Sequence, residues 1–218
     1  MQNVAKFWDG IAEGYAKSPI ADMEAYTYTL ERTKSHLAAT DRVLELGSGT
    51  GSTALLLAPG VAHITASDIS GEMIRIGQEK ARDQGGDNID FVRGDLMGDP
   101  LGEGPYDAIL AFNVLHLIED QPEALERIRS LLKPGGLFIS KTICRPDRGS
   151  GFGRQNLKFW LMMRLALPLM QLFGKAPYVR VGRIAELDHL VTGSGFKIIE
   201  TGNHPASPPS RYIVARKR

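Results

Sequence analysis

Apolar and polar positions follow two different periods along this chain, and the change comes at Arg42. Before it the composition is helical. Ala, Glu, Tyr, Leu and Lys dominate from Ala21 to Ala39, and Leu30 and Leu37 stand seven apart on one face. After it, short apolar runs take turns with helical stretches. RVLEL (42–46), VAHITASDI (61–69), NIDFVRGD (88–95), YDAILAFNV (106–114) and LFISKTI (137–143) read as strands. STALLLA (52–58), EMIRIGQEKARDQ (72–84) and Pro122 to Leu132 read as helices. Met73, Ile76 and Ala81 point inward in the second of these, Pro122 suits the first turn of the third, and KPGG (133–136) ends it. Strands alternating with helices predict parallel βαβ units, hence an α/β fold built as a three-layer α/β/α sandwich.

The tail departs from that rhythm. RPDRGSGFG (145–153) reads as a loop, LKFWLMMRLALPLMQLF (157–173) as an apolar segment whose only charges are Lys158 and Arg164, and IAELDHLVTGSGF (184–196) as a helix with a glycine stop. FKIIETG (196–202) and RYIVARK (211–217) are two further strands, and Pro205, Pro208 and Pro209 predict an extended loop between them. No linker divides the chain. The expected layout is one domain over 1–218: a helical cap (1–40), a cofactor-binding core (41–143), an apolar lid-like insertion (144–181), and the last helix and strands (182–218).

Composition narrows the function. With 43% hydrophobic and 23% charged residues the chain is globular rather than disordered. Lys and Arg number 26 against 25 Asp and Glu, so no basic field argues for a nucleic-acid partner. Cys144 is the single cysteine, which excludes an internal disulfide and a metal cluster of cysteines, and no metal site is expected. The opening MQNVAKFWDG has no apolar signal core and no run is long enough to span a membrane, so a cytoplasmic protein is expected.

The strongest chemical signal is VLELGSGTGS (43–52). Gly47, Gly49 and Gly51 stand between a predicted strand and a predicted helix, where glycine permits a sharp turn and a close ligand approach. Asp68 closes the second strand, where a carboxylate can accept from both ribose hydroxyls. Asp95 closes the third. Gly and Asp also favour ordinary turns, but three successive strand ends carrying such residues point to a nucleotide-like ligand. The phase is G-x-G-x-G, not the dinucleotide G-x-G-x-x-G, and Glu45 beside the loop suits a cationic ligand better than a pyrophosphate.

These residues resemble the class I S-adenosylmethionine (SAM) dependent methyltransferases. The resemblance covers roughly Arg42 to Ile143 and rests on ELGSGTG (45–51), Asp68, Asp95, PYDAILAFNVLHLIED (105–120) and LLKPGGLFIS (131–140). FWDGIAEGYAKSPIAD (7–22) is similar to the opening of the small-molecule branch, which includes the quinone-biosynthesis methyltransferases. The resemblance implies a Rossmann-like, seven-stranded, mostly parallel sheet whose last strand is antiparallel. It implies that Gly47, Gly49 and Gly51 pack against the methionine and ribose of SAM, and that Glu45 holds its sulfonium side or amino end. It implies Asp68 on the ribose hydroxyls with Ile69 beside the adenine, Asp95 on the adenine amino group with Leu96 against the ring, Asn113 near the methionine end, and Tyr15 across the mouth.

His116, just past the fourth strand, is the candidate general base, with a structural histidine closing the pocket as the alternative. His63 and His189 read as structural, and His36 and His204 have no supporting context. Asp99 and Glu119 read as solvated loop charges. The apolar segment, with Phe152, Phe159, Trp160, Met162, Met163, Leu165, Met170 and Phe173, reads as a lid over a hydrophobic acceptor. A core helix, a dimer contact and a helix resting on a membrane near Lys158, Arg164 and Lys175 are the alternatives. Pro168 would kink it, and Arg180 and Arg183 are available to an acidic acceptor.

The expected activity is SAM-dependent methyl transfer, at oxygen or carbon, to a small apolar or aromatic acceptor, by a monomer or homodimer. A non-catalytic SAM-binding protein and a nicotinamide-dinucleotide oxidoreductase are the competing classes. FNVL (112–115) stands where an amino-methylating nucleic-acid enzyme would carry N/D-P-P-Y/F.

Overall fold

A computed structural model describes residues 2–98, 101–102, 104–146, 161, 164–165, 167–172 and 176–218. Two helices, α1 (Gln2–Lys17) and α2 (Met23–Lys34), precede the first strand. The alternating core follows as β1 (Arg42–Leu46), α3 (Ser52–Leu57), β2 (His63–Asp68), α4 (Gly71–Gln84), β3 (Ile89–Arg93), β4 (Tyr106–Phe112), α5 (Gln121–Leu131) and β5 (Leu132–Ile143). The chain ends in α6 (Leu167–Leu172), α7 (Ile184–Gly193), β6 (Phe196–Ala206) and β7 (Pro209–Lys217). The seven strands form one sheet in the order β3-β2-β1-β4-β5-β7-β6. β1 to β5 are parallel, and β7 runs antiparallel to both β5 and β6.

Period-two alternation along the strands divides the core between two faces. Val43, Ala108, Leu110, Ile139, Tyr212 and Val214 pack with Ala54 and Leu57 of α3, and Leu30 and Leu37 lie against them. Leu44, Ile109, Phe138 and Ile213 pack on the other face with Leu125 and Ile128 of α5 and with Leu187 and Val191 of α7. Capping sets where the helices start. Asp22 accepts the Ala25 N–H at 2.9 Å, Ser70 Oγ the Met73 N–H at 3.1 Å, and Asp120 the Glu123 N–H at 3.0 Å. Each such cap contributes about 1 kcal/mol.

The connection predicted as a proline loop is instead a tight hairpin. β6 runs on through Pro205 and β7 begins at Pro209, so only Ser207 and Pro208 lie between them. Pro205 sits on the edge strand and Pro209 opens a strand, two places where a missing N–H disturbs no ladder. β5 likewise starts at Leu132, directly after α5, and absorbs the glycines expected as a stop. Pro168 is the second residue of α6. Of the apolar segment and its flanks, Phe152, Lys158, Phe159, Trp160, Met162, Met163, Phe173 and Lys175 lie outside the described residues, as does Asp99.

Candidate active site

The glycine loop leaves β1 at the carboxyl edge of the sheet. Gly47, Gly49 and Gly51 all adopt left-handed backbone, with φ of 61°, 54° and 70°. Two of them also mark close packing. A Cβ on Gly47 would stand 2.7 Å from Val114 Cγ2, and one on Gly51 would stand 2.5 Å from the Phe91 ring. Gly49 is different: a Cβ there would meet only Tyr15, at 3.6 Å. The middle of the loop therefore faces open space roofed by the Tyr15 ring. The Lys80 ammonium donates to Thr50 Oγ1 at 2.7 Å and Ser52 Oγ at 3.1 Å, tying the loop to α4.

Asp68 closes β2 and braces that loop. Its Oδ2 accepts the Gly49 N–H and its Oδ1 the Ser70 N–H, each at 2.9 Å. Burial raises its pKa against the pull of those two amides. Each oxygen keeps a lone pair for a further donor. Ile69, half-buried, follows it. Asp95 lies two residues beyond β3, and its Oδ1 accepts the Met97 N–H at 3.1 Å, with Leu96 buried beside it.

Glu45 is the most unusual group of the crevice. It is 3% exposed and its Oε2 has no hydrogen-bond partner. Burial pushes its pKa up to about 8, against the Ala54 N–H that donates to it, and Asp68 adds to the rise. A buried carboxylate short of a partner is costly unless a donor or cation meets it.

α1 reaches the site as the cap that was expected. Trp8, Ala12 and Ala16 pack on Met73 and Ile76 of α4. Asp9 Oδ1 accepts Ser70 Oγ–H at 2.6 Å and the Glu72 N–H at 3.1 Å. Trp8 is thus part of the staple that seats α1. Tyr15 is 54% exposed, yet its phenol leans toward the crevice: burial, then the charges of Asp68 and Glu45, hold its pKa above the usual value.

Past β4 the backbone turns sharply. Asn113 has φ of 56°, and its N–H donates to the Lys141 carbonyl at 2.7 Å. His116 follows in a single 3-10 turn, Leu115–Leu117. Burial lowers its pKa to about 4, and its Nδ1 has no partner. The returning chain passes over it, with the Arg180 N–H donating to the His116 carbonyl at 2.7 Å.

The tyrosine, glutamate, glycines, Asp68 and Asn113 thus line one crevice edge, with Ile69, Asp95 and Leu96 along β2–β3 and His116 beyond β4. The other histidines differ in their surroundings. His36 pairs with Glu200 at 2.8 Å and His204 stacks on Tyr28 at 3.9 Å, so both have partners. His63 pairs with Asp90 at 3.1 Å, whereas His189 is exposed on α7. Arg183 is engaged with Glu186 at 3.4 Å. Asp9, Lys80 and Lys141 escaped the sequence reading because each acts on a residue distant in sequence. Only Lys141 left a trace, as the one charge inside the apolar run LFISKTI.

A family model described as a methyltransferase domain matches residues 43–136. A demethylmenaquinone methyltransferase of Clavibacter sepedonicus is 31% identical over 102 residues, 46% of this chain and 40% of that protein. An uncharacterized methyltransferase of Mycobacterium tuberculosis is 31% identical over 127 residues, 58% of this chain and 62% of that one. The chain therefore spans less than two thirds of these relatives. Magnesium protoporphyrin IX methyltransferase of Synechocystis PCC 6803, solved with bound S-adenosylhomocysteine (SAH), superposes with a TM-score of 0.72, 19% identity, and coverage of 100% of this chain and 99% of that one. The methyltransferase domain model thus covers the stretch from β1 into β5, and the chain as a whole shares its fold with a solved methyltransferase.

Proposed function

We propose that the chain transfers a methyl group from SAM to a small apolar or aromatic acceptor, at oxygen or carbon. The observation that carries the reading is Glu45: a buried carboxylate with an orphan oxygen, one strand end away from an open glycine cradle. Such a group fits a ligand that is cationic near the loop. The residues present suit that ligand throughout. The Gly47–Gly51 backbone would take the methionine and ribose, and Glu45 the amino end or sulfonium side. Asp68 would accept the ribose hydroxyls on its free lone pairs. Ile69 and Leu96 would flank the adenine, Asp95 would accept from its amino group, Asn113 would meet the methionine end, and Tyr15 would close the mouth. When bound, SAM supplies a methyl group on a positively charged sulfur, an electrophile the protein need not activate.

What remains for the protein is alignment and exclusion of water. His116 takes part as a neutral imidazole: its orphan Nδ1 accepts a hydrogen bond from the acceptor, and its low pKa makes it a weak base at neutral pH. The companion reading is a SAM-binding protein without turnover.

Calorimetry tests the proposal. SAM should bind in the micromolar range at pH 7, roughly −8 kcal/mol. Burial shifts Glu45 toward its protonated form in the free protein. A cationic group meeting it draws the carboxylate into its charged form, so binding should release a proton, read as a dependence of heat on the buffer's ionisation enthalpy. Equal release with SAH would assign Glu45 to the amino end, and release with SAM alone to the sulfonium. No binding, or NAD binding instead, would sink the reading. A labelled methyl group that never leaves SAM across quinone-like, phenolic and lipid acceptors would favour the companion.

A further inference from the structure

Lys141 stands where a lysine needs a reason. β5 is a central strand, paired to β4 on one side and β7 on the other. Residues 137 and 139 face α3, so period-two alternation sends Lys141 to the same face. Its lateral neighbours there are Phe112 on β4 and Tyr212 on β7, in register with it. One strand further on is Gly202, whose missing side chain leaves room for the His204 ring. That ring stacks on Tyr28 of α2, and Tyr212 is tied to α2 through Thr33 at 3.3 Å. A half-buried cation thus rises from the sheet between Phe112 and the buried Tyr212, with the His204–Tyr28 stack one strand further on.

No hydrogen bond or ion pair holds it among the described residues; only the more distant Asp22 charge acts on it. Asp22 is committed to the N-terminus of α2 through the Ala25 N–H. Burial lowers the lysine's pKa, and Lys141 in turn helps to lower that of His204. An unpaired, partly desolvated ammonium is costly in a resting protein.

Its position relative to the cofactor crevice is fixed by the backbone. The Asn113 N–H donates to the Lys141 carbonyl, and Val114 packs on Gly47. Glu45 lies on the same face as Lys141, two strands across and two residues back in register, about 12 Å at the spacings of neighbouring strands and residues. The buried glutamate and the half-buried lysine thus bracket the edge of β4, the glutamate on the glycine-loop side and the lysine on the far side.

We propose that Lys141 anchors a carboxylate carried by the methyl acceptor, between aromatic walls formed by Phe112, Tyr28 and His204, with the buried Tyr212 beneath. This rests on the methyltransferase reading above and narrows its acceptor to an organic acid with a planar or apolar body. An ammonium among rings recognises such a ligand at both ends: the charge meets the carboxylate, and the rings cover the body.

The test uses the full chain saturated with SAH. A panel of acids (benzoate, 1-naphthoate, indole-3-acetate and laurate) is titrated beside the matching primary amides, against wild type, Lys141→Met and Lys141→Arg. At least one acid should bind about tenfold or more tighter than its amide, the range expected for a hydrogen bond to a charged group. Lys141→Met should erase that preference, Lys141→Arg should restore part of it, and SAH affinity should stay the same in all three. Acids that bind no better than amides, or fail to bind at all, overturn the proposal while leaving the cofactor reading intact. Loss of SAH affinity in Lys141→Met, with fold retained by circular dichroism, overturns it by assigning the lysine to the cofactor. Failure of SAH to bind wild type removes both.

Discussion

The two sides of the β4 edge are built differently. On the side of β1 and β2 the crevice is shaped by backbone: three left-handed glycines, and an aspartate whose two oxygens each receive an amide N–H. The buried polar atoms without partners there are Glu45 Oε2 and Ser48 Oγ. On the side of β5 to β7 the surfaces are made by side chains from distant elements: among the described residues Ser140 Oγ, Thr142 Oγ1 and Asn203 Oδ1 lack partners on the α7 face, His116 Nδ1 lacks one past β4, and Lys141 stands unpaired on the α3 face. One half is set before any ligand arrives. The other keeps its polar groups uncommitted, which suits a site that differs from one acceptor to the next.

Gly51→Val attacks the preformed half hardest. A β-branched residue at φ of 70° is strained, and its Cβ would collide with Phe91. Strain of about 1–2 kcal/mol and overpacking of about 1–3 kcal/mol should show in urea unfolding, with SAH affinity falling about a hundredfold or more. Intact affinity would show that the loop is not a fixed cradle. Asp68→Ala comes next. It removes a brace of the loop as well as the expected ribose acceptor, so SAM affinity should fall by about 1–3 kcal/mol in calorimetry. Unchanged affinity would make the ribose assignment wrong.

On the uncommitted side the effects should be smaller. His116→Asn should lower kcat by about tenfold, one hydrogen bond's worth, and the wild-type rate should show no ionisation near 6.5, because burial holds this imidazole near 4. A loss of a thousandfold with a titration near neutrality would restore the general base. The smallest effect belongs to the scaffold behind that side. Arg32 and His36 hold the Glu200 carboxyl down to about 2. A lowered folded pKa adds stability that is present above the ordinary glutamate range and disappears as pH falls toward 2. Glu200→Gln should therefore cost under about 1 kcal/mol at pH 7, since the pair is partly solvated, and nothing near pH 2, by thermal unfolding at the two values.

The same asymmetry decided what the sequence disclosed. Gly47, Gly49 and Gly51 follow β1, Asp68 closes β2 and Asp95 lies just past β3, so the strand pattern put them at one edge. The alternation of strands and helices likewise yielded the parallel core and its layers. The hairpin did not show, because proline reads as a breaker unless one knows that β6 is an edge strand. Nor did Asp9 on Ser70, or Lys141 among its rings, because those contacts join segments that no local pattern connects. His36 illustrates the point: nothing within ten residues hints at Glu200.

Phe91 carries a consequence for how this sequence can change. Its ring fills a notch between Gly51, in the cofactor loop, and Gly77, in the middle of α4, and a Cβ at either glycine would overlap it. Alanine at 77 would raise helix propensity, yet here it would press the ring toward the loop. The three positions are therefore epistatic. A larger residue at 77 becomes acceptable only after a smaller one has appeared at 91, so the order of substitutions, and not only their sum, governs which variants keep a working cofactor loop.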